Sequence, residues 1–174
     1  MPEGDREERI DRDEAGRVRL RYTLAAEKLE GELVQYDEEG HIEARLPYAG
    51  GVLDGEALFY GRGQLQLSMH YRNGVEDGER VLYHENGKPS MKAQYKAGKL
   101  EGESTWLRPD GTLLRVAHYA NGVLDGESAD YDERGKVSER AAYRAGKLHG
   151  EMLRYARNGK VAEKLVFKDG VQQK

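Results

Sequence analysis

Short runs of alternating apolar and polar residues recur along this chain, and glycines punctuate them. Glu79-Arg80-Val81-Leu82-Tyr83 alternates with the two-residue period of a strand, and so do residues 89–95, where Met91, Ala93 and Tyr95 fall on one side. Between them, His84-Glu85-Asn86-Gly87-Lys88 has turn chemistry, with Asn-Gly as the strongest local signal. Lys96-Ala97-Gly98-Lys99 then turns the chain back. One such stretch is a β-hairpin, and the chain repeats it. A Gly-Glu pair begins at Gly31, Gly55, Gly78, Gly102, Gly126 and Gly150, at spacings of 24, 23, 24, 24 and 24. A fixed period in this range marks a repeat protein, whose units are too small to bury a core alone and gain stability by stacking.

The pattern predicts an all-β repeat protein: about six 24-residue hairpins in one long, twisted antiparallel meander sheet. At about 4.8 Å per strand, thirteen strands give a length on the order of 60 Å. Residues 1–15 carry only Met1, Ile10 and Ala15 as clearly apolar side chains, which predicts a flexible charged tail or a frayed first turn. The repeat domain covers residues 16–174: a half-unit at 16–30, then units beginning near 31, 55, 78, 102, 126 and 150. Glu27 stands where later copies have a loop glycine, so an atypical first loop is expected. Register parity favours a type I turn followed by a left-handed glycine, with Tyr83 opposite Pro89. The second unit is one residue shorter at Gly61-Arg62-Gly63, which predicts a different turn there.

Four columns are assigned to one core face. Val34, Leu58, Val81, Thr105, Ala129 and Leu153 lie three residues after each Gly-Glu glycine, and Tyr36, Tyr60, Tyr83, Leu107, Tyr131 and Tyr155 lie five after it. Leu46, Met69, Ala93, Ala117, Ala141 and Leu165 follow on the return strands, beside a column of tyrosines ending in Phe167. The opposite face is expected to be polar, with a basic column of Arg45, Lys92, Arg140 and Lys164. Phe59, Leu82 and Trp106 break that polarity, and Leu114 and Val116 add to it. These five are the predicted partner-binding patch, with Trp106 as anchor.

Composition narrows the chemistry. Hydrophobic residues make up 37 % and charged residues 34 % of 174 positions, a balance that suits a thin sheet with much exposed surface. With no cysteine, disulfides and thiolate metal sites are excluded. The histidines are scattered, and no metal site, cofactor site or catalytic residue is expected. The repeated glutamates Glu32, Glu56, Glu79, Glu103, Glu127 and Glu151 recur in every unit alike, whereas a catalytic acid needs one special environment. They are expected to accept loop N–H groups or to pair with basic neighbours. The glycines before them are expected to hold a special backbone angle or to let a neighbour lie close. Net charge is −4 with mixed signs, which does not point to nucleic acid. No signal peptide or spanning segment is legible, so the cytoplasm is the default location.

The pattern YxxGxLxGExxxYxxxGxxxxxxxY, carried by the Gly-Glu pair, the following tyrosine and the turn glycine over residues 16–171, resembles the MORN repeat in its variant form. It looks especially like that of bacterial YwqK-type antitoxins. Leu107 in place of a tyrosine, Glu76 in place of a leucine and the short second unit are its departures. The resemblance implies hairpin units, no catalysis, and a protein partner such as a toxin or secreted effector that is bound and occluded. The alternative it implies is a scaffold that associates with anionic lipid or with itself.

Overall fold

The computed structural model describes residues 6–174. Among them the chain is all-β, with seventeen strands assigned to one sheet. By its contacts the chain divides into two units, Met1–Gly87 and Lys88–Lys174. The first holds β1 Arg6–Arg12, β2 Val18–Ala25, β3 Lys28–Leu29, β4 Gly31–Tyr36, β5 Ile42–Ala49, β6 Val52–Leu53, β7 Gly55–Gly61, β8 Gln64–Arg72 and β9 Val75–Tyr83. The second holds β10 Pro89–Lys96, β11 Lys99–Leu107, β12 Leu113–Ala120, β13 Val123–Tyr131, β14 Val137–Arg144, β15 Lys147–Tyr155, β16 Val161–Lys168 and β17 Val171–Gln172. Within each unit, pairing is antiparallel throughout.

Two kinds of turn alternate. At one margin a five-residue loop is closed by a glycine N–H bonded three residues back: Gly135 donates to the Asp132 carbonyl at 3.0 Å, and Asp132 N–H to Lys136 at 2.8 Å. Gly135 has φ +72°, so this is the type I turn with left-handed glycine that the parity predicts. The short second unit differs as expected: Arg62-Gly63 forms a two-residue loop with both φ positive, closed by Gly61 opposite Gln64. At the other margin every loop has two residues with positive φ, such as Asn121 at +52° and Gly122 at +86°. The first of these loops is not atypical. Ala26 and Glu27 adopt the same geometry, at +48° and +63°, because Ala25 pairs with Lys28 as its later counterparts do.

The N-terminal segment also differs from the sequence reading. Arg6–Arg12 form β1, paired with β2 from Arg6 opposite Ala25 onward, so a complete hairpin stands where the pattern predicts only a half-unit. Its apolar residues are few, and strand pairing rather than burial holds it. Residues 1–5 of the expected tail lie outside the described residues.

The face assignment needs the largest correction. Val34 pairs with Arg45 and Leu33 with Leu46, so the first-strand and return-strand columns assigned to one core lie on opposite faces. The cause is one extra residue in the return strands, just past the start of pairing. Tyr131 pairs with Val137 but Asp130 with Glu139, which leaves Ser138 unopposed. Arg19, Glu43, Gln66, Leu114 and Ala162 are its equivalents. A single inserted residue reverses the alternation of everything beyond it. The front face, defined here by Ala57 and Phe59, carries Met69, Ala93, Ala117 and Ala141 and the tyrosines next to the two-residue loops. The back face carries Val34, Val81, the other tyrosines and the basic column.

Val34, Ser68 and Val81 are buried on the back of the first unit, and a line of small side chains is buried on the front. In the second unit Ala93, Ser104, Ala117, Ser128 and Ala141 pair in succession and are all buried. Larger residues sit two positions away along each strand on the same face, such as Trp106 beside Ser104 and Tyr119 beside Ala117. A small side chain between such neighbours is covered by them, which is how one layer of strands excludes water.

Candidate interaction surface

In the first unit Phe59 pairs with Leu67, and Leu67 with Leu82, which aligns three apolar side chains across β7, β8 and β9 on the front face. Ala44 continues the row on β5 and is buried. Phe59 and Leu67 are half-buried, and Leu82 is 37 % exposed. Leu67 was not among the residues singled out from the sequence. Its signal was its place directly between two that were.

In the second unit Trp106 lies on the front, half-buried, between Met91 and Arg115. The Arg115 guanidinium sits 6.0 Å from the centre of the indole ring, a cation–π distance. Leu114 is the extra residue of its strand and is exposed. Val116 is not part of this surface. It pairs with Thr105 and Ala129 and so faces the back. The same insertion at Leu114 that turns Arg115 toward Trp106 turns Val116 away. Of the five predicted residues, Phe59 and Leu82 belong to the first unit and the other three to the second.

Beyond Arg115 the front of the second unit becomes ionic. Asp130 approaches Arg115 at 3.8 Å, and Arg154 meets Glu139 and Glu163 at 2.9 Å each. The back-face basic column is partly neutralised: Arg45 bonds Glu32 at 2.8 Å and Lys164 bonds Glu151 at 2.5 Å. Two of the repeated glutamates thus pair with basic neighbours, as expected. Loop N–H groups are taken instead by the residue before each Gly-Glu glycine, which the sequence reading missed. Glu30, Asp54, Glu101 and Asp125 accept from Gly50, Asn73, Asn121 and Ala145 at 2.9–3.0 Å.

All six Gly-Glu glycines hold a positive φ, and four of them, Gly55, Gly78, Gly126 and Gly150, also let a neighbour lie close. At Gly78 φ is +133°, and a Cβ would lie 2.7 Å from His70 Cβ. Here one residue, His70, opposes the three residues Asp77-Gly78-Glu79. His70 Nδ1 lies 3.2 Å from the Glu79 carbonyl, and His118 Nδ1 lies 3.0 Å from that of Glu127. These two histidines donate to the backbone of the bulge.

Glu76, in the place of the usual leucine, makes a two-point ion pair with Arg80, with contacts of 2.8 Å. Burial pushes the Glu76 carboxyl above its ordinary range, and Arg80 opposes that. Its cross-strand partner Tyr71 is also pushed up, by burial first and then by the Glu76 charge. Asp37, Glu39 and His41 bring ligand atoms within 4.8 Å of one another. Asp37 is engaged there by the N–H groups of Glu39 and His41 at 2.8 Å, so turn geometry accounts for the cluster.

The geometry defines a repeat protein of single-layer β-hairpins whose faces are available for binding. Comparison with known families agrees: the model of the MORN repeat variant matches residues 29–49, 76–97 and 148–169. Repeats of this kind occur in protein-binding or membrane-associated proteins and are typically non-catalytic. No curated protein matches the chain. Among the described residues no helix is long and apolar enough to cross a membrane.

Proposed function

We propose that this chain is a non-catalytic, protein-binding repeat protein: an antitoxin or immunity protein that neutralises a bacterial toxin or secreted effector by covering its active site. The supporting observation is the row Phe59–Leu67–Leu82, apolar side chains that remain partly exposed on a sheet face. Such a row offers the dry centre that a specific interface needs, with polar residues around it. Trp106 with Leu114 offers a second contact in the other unit. An anionic-lipid track along the basic column is the weaker reading, because Glu32 and Glu151 already pair with two of its four cations.

The test is co-expression with the product of the adjacent gene, followed by gel filtration and by growth rescue of cells expressing that product. Co-elution and rescue are expected, with the double variant Phe59→Ala/Leu82→Ala losing both while keeping its β-sheet circular dichroism. Failure to co-elute, or full rescue by the folded variant, overturns the reading.

A further inference from the structure

The overall charge of −4 conceals a separation. Residues 1–87 hold 20 acidic and 11 basic side chains, and residues 88–174 hold 12 and 17. The first unit is therefore strongly acidic and the second basic, although both are built from the same hairpin.

The separation is sharp at the five-residue turns. In the first unit Glu14, Glu38 and Glu85 are exposed on successive turns, and none makes an ion pair among the described residues. Glu38 and Glu39 form the tip of the turn at residues 37–41, the most acidic of them. In the second unit a groove of about 460 Å³ lies between the turns at 132–136 and 156–160. Tyr155 and Val137 line it, together with Lys136 and Arg157. Asp132, also lining it, is already occupied by Arg134 at 2.7 Å and by the N–H groups of Arg134 and Lys136 at 2.9 Å. Arg134 in turn reaches the Arg157 carbonyl at 3.0 Å, which ties the two turns together and fixes the groove's width. Lys136 and Arg157 are exposed and their side chains make no ion pair among the described residues, against a single Glu133.

We propose that this groove receives the acidic turn of a second copy of the same chain, so that the first unit of one molecule docks on the second unit of another. Both halves of the contact are present in one sequence, with opposite charge. The groove is bounded by turns of the same kind as the one it accepts. Such a contact is heterologous and joins copies head to tail. Its strength comes from exposed charges, so it weakens steeply with salt.

Sedimentation velocity of the full chain tests this, at about 50 and about 300 mM salt, between which the screening length falls by roughly a factor of two. The mean mass is expected to rise with protein concentration at low salt, with an apparent Kd at least about tenfold weaker at high salt. The variants Glu38→Lys/Glu39→Lys and Lys136→Glu/Arg157→Glu should each be monomeric, since each sets like charges against one another. Mixing the two restores both charge pairings, so the mixture should associate. A monomer at every salt concentration overturns the proposal. So does self-association that neither salt nor the reversals affect, which would place the contact on the apolar row instead. A mixture that stays monomeric while the wild type associates also overturns it.

Discussion

Gly78 concentrates the sterics of the repeat in one residue. Its φ of +133° lies in a region open essentially to glycine, and His70 Cβ occupies the space where its own Cβ would stand. Gly102 occupies the same repeat position with φ +79° and nothing within 4 Å. Alanine at Gly102 therefore meets backbone strain alone, about 1–2 kcal/mol. Alanine at Gly78 adds a backbone-level collision with β8 and should cost roughly 3 kcal/mol or more. Urea denaturation of the two variants would measure the difference, and equal losses would mean that close approach contributes nothing. The need for glycine at these positions was legible from the repeat. Which copies also pack against a neighbour was not, because that depends on the side chain opposite, His70 in one case and open space in another.

Among elements, the five-residue turns depend on carboxylates. Asp132 accepts the N–H groups of Lys136 and Arg134 and the guanidinium of Arg134, and these hold its carboxyl down to about 2 from 3.8. A depressed carboxyl stabilises the fold above its unfolded pKa. That contribution is lost as the pH falls from 3.8 through about 2. Asp132→Asn should flatten the acid limb of stability across that window, as followed by thermal melts at stepped pH. An unchanged acid limb would mean that other carboxylates dominate it. The turn chemistry was written plainly in the residues, since Asn-Gly, Asp-Gly and Arg-Gly mark left-handed positions. The inserted residue that follows was not. Arg19, Glu43, Gln66, Leu114, Ser138 and Ala162 share no chemical property and need no glycine, so alternation read through them assigns the return strand to the wrong face. That is why Trp106 and Val116 were grouped although the sheet separates them.

For the whole molecule, stability is distributed along the chain as neighbour-to-neighbour bonds. Five of the two-residue loops donate a glycine N–H to the leucine carbonyl of the hairpin before them, as Gly146 does to Leu124 at 2.8 Å, and the adjoining N–H goes to an acid such as Asp125. In a repeat of this kind damage should stay local. Asp125→Ala should raise hydrogen exchange at Ala145 by about tenfold while leaving β2, β4 and β5 unchanged. Uniform acceleration over the chain would indicate one cooperative block.

That same loop-to-loop bonding has a bearing on ancestry. Each hairpin bonds to the one before it and to the one after it through the same short set of backbone atoms. Duplicating 24 codons in frame therefore inserts a working module and leaves the bonds elsewhere intact. Descendants of this gene can lengthen or shorten by whole ribbons, and the unopposed charges on a newly added turn are then free to diverge toward whichever sign its next contact rewards.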